Sequence, residues 1–176
     1  AHTNQWVKTV VILFAERKSK TEKEIIEILT LFGASYISDK TVCSTEGSFT
    51  VVSEYKRVDL KLNNGIAVIC DTTDKFKNQK LPSGTIGICE DNNINALNLF
   101  LENHTPVISC GMSGKNTITL SSLENNIPLI TLQRRITDLK GKVIEPAEFK
   151  IALKDYYSPF SVMASVTILL LEGRIP

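Results

Sequence analysis

Histidine, aromatic rings and net charge are all scarce in this sequence, and each shortage removes a class of function. Only His2 and His104 carry imidazoles. The first lies near the chain start and the second beside Thr105-Pro106, and neither has an acid or nucleophile at a spacing that would make an acid–base relay. A cysteine nucleophile would need a base, and only proximity in the fold between Cys110 and His104 could supply one. Aromatic residues make up 7% of the chain, and no ring stands beside the basic step Arg134-Arg135, so a stacking platform for single-stranded nucleic acid is not indicated. With Lys plus Arg at 20 and Asp plus Glu at 19, the formal charge is +1, which gives no long-range attraction to nucleic acid or an anionic membrane. The longest apolar run, residues 162–171, is too short to cross a bilayer, and no basic-then-apolar leader pattern is seen. These absences predict a cytoplasmic protein with neither nucleic acid nor membrane among its partners.

Cysteine is sparse as well. Cys43, Cys70, Cys89 and Cys110 show no paired metal-ligand spacing, and three of them fall in apolar runs (AVICD, TIGICE, VISCG). They read as four reduced thiols in or near the core, in keeping with the cytosol. A length of 176 residues suits one domain, and burial of roughly 70% of the unfolded surface is within reach at that size.

What is present is an alternation of strand and helix signals. Residues 9–15 (TVVILFA) form a continuous β-branched run, expected to be an interior strand covered on both faces. Thr21 and Glu24 have capping-box spacing before Ile25, Ile26, Ile28, Leu29 and Phe32, which predicts a helix ending at Gly33. Residues 35–46 and 48–55 read as extended, and Asn63-Asn64-Gly65 as a turn before a strand at 66–71. Residues 71–84 are polar and rich in lysine, which predicts a surface loop and the most mobile part of the chain. Residues 85–89, a helix capped by Asp91 or Asn92, and residues 106–110 make a β-α-β unit whose two strands should be parallel. Beyond Cys110, the runs 117–123, 129–135 and 142–150, separated by Asn125-Asn126 and Lys140-Gly141, predict an antiparallel meander or hairpin. Ser158-Pro159 then opens a strongly apolar helix that Gly173 stops. The expected fold is α/β: a largely parallel sheet flanked by helices, with a C-terminal antiparallel β-hairpin region and a closing apolar helix, all in one domain over residues 1–176.

Two segments carry the candidate chemistry. Gly111-Met112-Ser113-Gly114-Lys115-Asn116 follows a strand like a phosphate-cradling loop with its lysine. However, Ser109 stands where a glycine belongs, Asn116 stands at the magnesium-binding hydroxyl position, and β-like residues follow where a helix N-terminus should point at the phosphate. A plain turn between strands satisfies the same residues. Glu90-Asp91-Asn92-Asn93 lies at the carboxyl end of a parallel strand, where open α/β sheets hold ligands, although helix capping also explains Asp and Asn there. Asp71 and Asp74 could join Asp91 around a divalent cation, or stand as solvated loop carboxylates. In Arg134-Arg135, strand alternation would send the side chains to opposite faces and leave a weak anion site.

From Gly84 onward the order of residues resembles the latter half of the central domain of Mur ligases, the ATP-dependent amino-acid-adding enzymes of cell-wall synthesis. The strand GTIGICE with Asp91-Asn92, the helix to Asn103, the strand PVISCG, the β-rich stretch to Lys150 and the helix MASVTILLLEGRIP are similar in succession to that family's strand, acidic helix start, helix, "V-x-T-x-G" strand, hairpins and "A-A-I-A…G-I" helix. The resemblance implies the fold and a groove at the strand ends. It would also set two asparagines near an adenine at positions held here by Ser158 and Ser161, and a Gly-Lys-Thr or Gly-Lys-Ser loop earlier in the chain, which residues 1–83 lack. ATP-driven ligation is therefore not implied.

The resulting expectation is a non-catalytic or scaffold-type domain that needs no cofactor or metal. It would bind a small polar ligand, a protein partner or a second copy of itself through strand-end loops, with Asp71, Asp91, Asn92, Gly111, Ser113, Gly114 and Lys115 as candidate contacts. The alternative is a nucleotide-binding enzyme or ligase subunit that uses Gly111 to Lys115. A third reading makes the chain one piece of an assembly, with the apolar helix at 162–171 covering a partner.

Overall fold

A computed structural model describes residues 8–124 and 127–174; His2 and the Asn125-Asn126 turn lie outside the described residues. The apolar run at the start becomes β1 (Thr9–Phe14), buried except for a half-buried Val10. It lies between β4 (Phe49–Glu54) and β5 (Gly65–Ile69), parallel to both. β6 (Thr85–Glu90) and β7 (Val107–Gly111) extend the parallel sheet beyond β5. On the other side β4 carries β2 (Ser35–Ile37) in parallel, and the short β3 (Val42–Cys43) closes that edge antiparallel to β2. Beyond β7 come β8 (Ile118–Glu124), still parallel, then β9 (Ile127–Leu132) and β12 (Ala147–Lys150), both antiparallel to their neighbours. The ten strands are ordered β12-β9-β8-β7-β6-β5-β1-β4-β2-β3.

Side chains alternate between the two faces of the central strands. Val11, Leu13, Ile66, Val68 and Ile88 face α1 (Lys20–Leu31) and α3 (Pro159–Leu171). Ile12, Phe14, Ala67, Ile69 and Cys89 face α2 (Ile94–Glu102). The close seat of α2 depends on Gly87, because a Cβ there would lie 2.6 Å from the Phe100 ring, an overpacking that costs about 1–3 kcal/mol.

Both helix starts differ from the sequence expectation. Ser19, not Thr21, caps α1, its Oγ accepting the Glu22 N–H at 3.2 Å. Glu24 is drawn off to Ser158 and cannot close the expected box with Thr21. Asn93, not Asp91 or Asn92, caps α2, its Oδ1 accepting the Ala96 N–H at 3.1 Å. Gly33 follows α1 in the left-handed region at φ 86°, which ends that helix where expected.

The loop at 71–84 follows the surface but is pinned rather than loose. Phe76, Gln79 and Leu81 are buried, and Phe76 meets Phe14 edge-on with ring centroids 5.0 Å apart. The Gln79 amide accepts the Val58 N–H at 2.9 Å and donates to the Val58 carbonyl at 2.7 Å.

The C-terminal β region is split. β8, β9 and β12 complete the main sheet, whereas β10 (Ile136–Thr137) and β11 (Val143–Ile144) pair as a separate ribbon. Arg134 and Arg135 lie in the bend before β10 and not in a strand, so strand alternation does not set their directions. α3 is buried at every residue from Phe160 to Leu171. Sheet, α1 and the apolar side chains Ile136, Leu139 and Ile144 share its core, the environment that a helix hydrophobic all round requires. The fold itself therefore covers α3, which removes the support for a partner seated on it. Among the described residues no helix is long and apolar enough to cross a membrane.

Candidate functional site

Parallel pairing brings the carboxyl ends of β1, β4, β5, β6 and β7 to one edge of the sheet. From β1 the chain moves outward to β2 and β4, then crosses to β5, β6 and β7 on the other side. The reversal of strand order makes this edge the place where open α/β sheets form a ligand crevice.

The turn from β1 to α1, Ala15-Glu16-Arg17-Lys18-Ser19, has no glycine. Asp71, just past β5, braces it. Its Oδ2 accepts the Glu16 N–H at 2.8 Å and its Oδ1 accepts the Ser19 hydroxyl at 3.0 Å. Asn93 in turn donates its side-chain amide to the Asp71 carbonyl at 3.1 Å. The turn is thus occupied from within, by a carboxylate.

Asp91 sits over the end of β7. Its Oδ2 accepts the buried Asn116 amide at 2.8 Å, and the same amide nitrogen reaches the Ser113 carbonyl at 3.0 Å. Gly111 makes room for this pair, since a Cβ there would lie 2.5 Å from the Asn116 amide nitrogen and 2.6 Å from Asp91 Oδ2. Ser113 Oγ accepts the Lys115 N–H at 3.3 Å, and Arg134 donates to the carbonyls of Asn116 at 2.7 Å and Gly114 at 3.4 Å. Gly111, Ser113, Gly114 and Lys115 therefore form one turn, tied by Asn116 to Asp91 and by Arg134 to the bend after β9. Lys115 and Asn92 are exposed.

Asp71, Asp74 and Asp91 do not meet as cation ligands: two of them are engaged separately, and no group of three or more His, Cys, Asp or Glu among the described residues could hold a metal ion. His104 lies just past the carboxyl end of α2, and Cys110 is fully buried in β7. Burial pushes the Cys110 and Cys70 thiols well up and the Cys89 thiol up to about 12. Cys43 departs from the expected core placement, standing exposed on the edge strand β3.

One recess at this edge was not legible as a motif. A crevice of about 610 Å³ opens at the ends of β1, β4 and β2, lined by Arg17, Ile37, Asp39, Glu54, Tyr55 and Lys75 among others, a size suited to a small ligand. Arg17 donates to Asp39 at 2.8 Å and lies over the Tyr55 ring at 4.8 Å, and that hydrogen bond holds the Asp39 carboxyl below its ordinary range. Lys75 reaches Glu16 at 3.3 Å. Behind the lining, Tyr55 donates its hydroxyl to the buried Glu22 at 2.8 Å. Burial raises the Glu22 carboxyl, and burial with the Glu22 hydrogen bond raises the Tyr55 phenol. A smaller cavity of about 340 Å³ lies between the pinned loop and α2, with Asp74, Asn95 and Glu102 on its wall.

No protein-family model and no curated protein matches this chain. Solved structures do. MurF from Acinetobacter baumannii superposes with a TM-score of 0.55 at 10% identity over 97% of this chain. The UDP-N-acetylmuramate:L-alanyl-gamma-D-glutamyl-meso-diaminopimelate ligase from Neisseria meningitides gives 0.52 at 10% identity over 98%. The chain spans 43% and 64% of their respective lengths. At 97% and 98% coverage the match extends beyond the half whose sequence pattern resembles the family. Ser158 and Ser161, the positions where that resemblance sets asparagines near an adenine, give their hydroxyls to Glu24 instead, at 2.8 and 3.5 Å. The chain has a Mur-ligase-like α/β fold.

Proposed function

We propose that this chain is a single Mur-ligase-like domain of non-catalytic or scaffold type, which holds a small polar ligand, or a polar segment of a protein partner, in the crevice beside β1. The observation that carries this reading is the hold of Asp71 on the β1–α1 turn through Glu16 and Ser19. A nucleotide phosphate at a strand-to-helix turn needs free N–H donors and a glycine-rich approach. Here the turn has no glycine, and the Glu16 and Glu22 N–H groups already have side-chain acceptors. Like charges about 4 Å apart repel by roughly 4 kcal/mol at an effective dielectric of about 20, so the Asp71 carboxylate opposes a phosphate on this turn.

The second reading, a nucleotide held by the Gly111 to Lys115 turn, draws on the exposure of Lys115. Against it, Gly111 is already explained by the room that Asp91 and Asn116 need. Substitution separates the two. Under the crevice reading Lys115→Ala leaves ligand binding unchanged and Tyr55→Ala weakens it; the opposite pattern would install the nucleotide reading.

A further inference from the structure

We propose that two copies of this chain associate through their β12 edges, pairing antiparallel about a two-fold axis at Phe149 so that Glu148 of each copy faces Lys150 of the other.

β12 ends the ten-stranded sheet, with β9 on one side and no strand on the other among the described residues. The Ile151 N–H reaches the Pro128 carbonyl at 3.3 Å, in the same register that sets Phe149 opposite Ile130. Backbone groups of an antiparallel strand point to alternate sides, so Phe149 and Ile151 bond inward to β9. The N–H and C=O groups of Glu148 and Lys150 therefore point outward. Pro146 has the same outward parity, where its missing N–H takes nothing from the existing ladder.

Side chains alternate as well. Phe149 lies in the core at 8% exposed, whereas Glu148 and Lys150 are exposed on the opposite face. Neither forms an ion pair among the described residues. Charged side chains on an edge keep a second strand away when they meet their own sign. Here one acid and one base flank Phe149 symmetrically, so the outcome depends on register. Three registers set these two positions against each other across a two-fold axis. An axis at Glu148 opposes two carboxylates and an axis at Lys150 opposes two ammonium groups, and like charges directly opposite repel. With the axis at Phe149, Glu148 meets Lys150 twice, and each pair can exchange both of its backbone hydrogen bonds at a Cα separation of about 5.5 Å. Self-complementarity of this kind belongs to an isologous interface, which makes a second copy the occupant. The shared edge is short, so the dimer is weak and its population follows concentration.

Sedimentation equilibrium of the whole chain from micromolar to millimolar concentration tests the pairing, with amide hydrogen exchange at both ends of that range. The expected result is a reversible monomer–dimer equilibrium in which exchange of the Glu148 and Lys150 amides slows at high concentration, while the Phe149 amide is protected at both. Glu148→Lys and Lys150→Glu each set like charges opposite, and each is expected to weaken association by about tenfold or more. The double variant restores two opposite-charge pairs and is expected to recover it. Both side chains are exposed, so melting of each variant at low concentration reports whether its fold is intact. A chain that stays monomeric throughout overturns the proposal, as does a dimer that the single reversals leave unchanged or the double variant fails to restore. Dimerisation that slows amides elsewhere and not those of Glu148 and Lys150 places the contact on another surface and overturns it equally.

Discussion

Ser158 gives both its backbone N–H and its hydroxyl to the carboxylate of Glu24, at 2.8 Å each, across 134 positions of sequence. A side chain of α1 thereby caps α3, the helix at the centre of the larger core. Ser158 is the N-cap residue of α3 but makes no side-chain cap bond of its own, so the acceptor comes from the neighbouring helix.

Glu24→Ala should therefore destabilise the fold out of proportion to its surface loss. Ser158 is half-buried, so leaving its donors unpaired costs at most the roughly 1–3 kcal/mol of a buried donor, and for a chain of this size each kcal/mol is worth roughly 2–4 °C in melting temperature. Glu24→Gln keeps one carbonyl oxygen and should lose less. Thermal melting of the two variants checks this; an alanine variant that melts with the parent would contradict the cap.

Stability should rise as the solution is made mildly acidic. Burial raises the carboxyls of Glu22 and Glu172 above 4.5 in the folded state. A group shifted this way contributes stability that is whole below its unfolded pKa and is lost as pH climbs through the folded value. The half-buried Glu16 and the exposed Asp39, held low by their hydrogen bonds, act in the opposite sense and only in stronger acid. As pH falls toward the ordinary carboxyl value of 4.5 the parent should gain melting temperature, and Glu22→Gln with Glu172→Gln should flatten that slope. An unchanged slope in the double variant would assign the effect elsewhere.

Of the four cysteines, only Cys43 should react in the native state. The other three are buried with thiols pushed up, and attack requires an accessible thiolate. A disulfide-exchange reagent should modify one thiol per folded chain and none in Cys43→Ser. Rapid reaction of a second thiol would mean that the core opens more readily than its packing indicates.

The sheet was legible because its signals are local. β1 is an apolar run with no polar interruption, and the β6–α2–β7 unit combines two buried strands with a polar helix start, so period and handedness place them. Cap identity was not legible, because several capping residues stand together and tertiary partners choose among them. Thr21 and Glu24 have the right spacing, yet Ser158 takes Glu24; Asp91 could cap α2, yet Asn116 takes Asp91 and leaves Asn93 to the helix. Of the candidate contacts, Asp91, Gly111, Ser113, Gly114 and Lys115 do come to one turn, while Asp71 faces another. The crevice escaped notice because Arg17, Asp39, Tyr55 and Lys75 come from four separate segments with no spacing to link them. The one sequence signal was the charged, glycine-free stretch Glu16-Arg17-Lys18 between the first strand and helix, where a phosphate loop would have been glycine-rich.

The central claim is that this Mur-ligase-like fold does not hold a nucleotide at its strand-to-helix turn, and the direct measurement is melting of the chain with and without magnesium and ATP. A ligand at about 100 times its dissociation constant adds roughly 2.7 kcal/mol, a shift of several degrees here. The account predicts an unchanged melting temperature at millimolar nucleotide. A clear upward shift that depends on magnesium would contradict it.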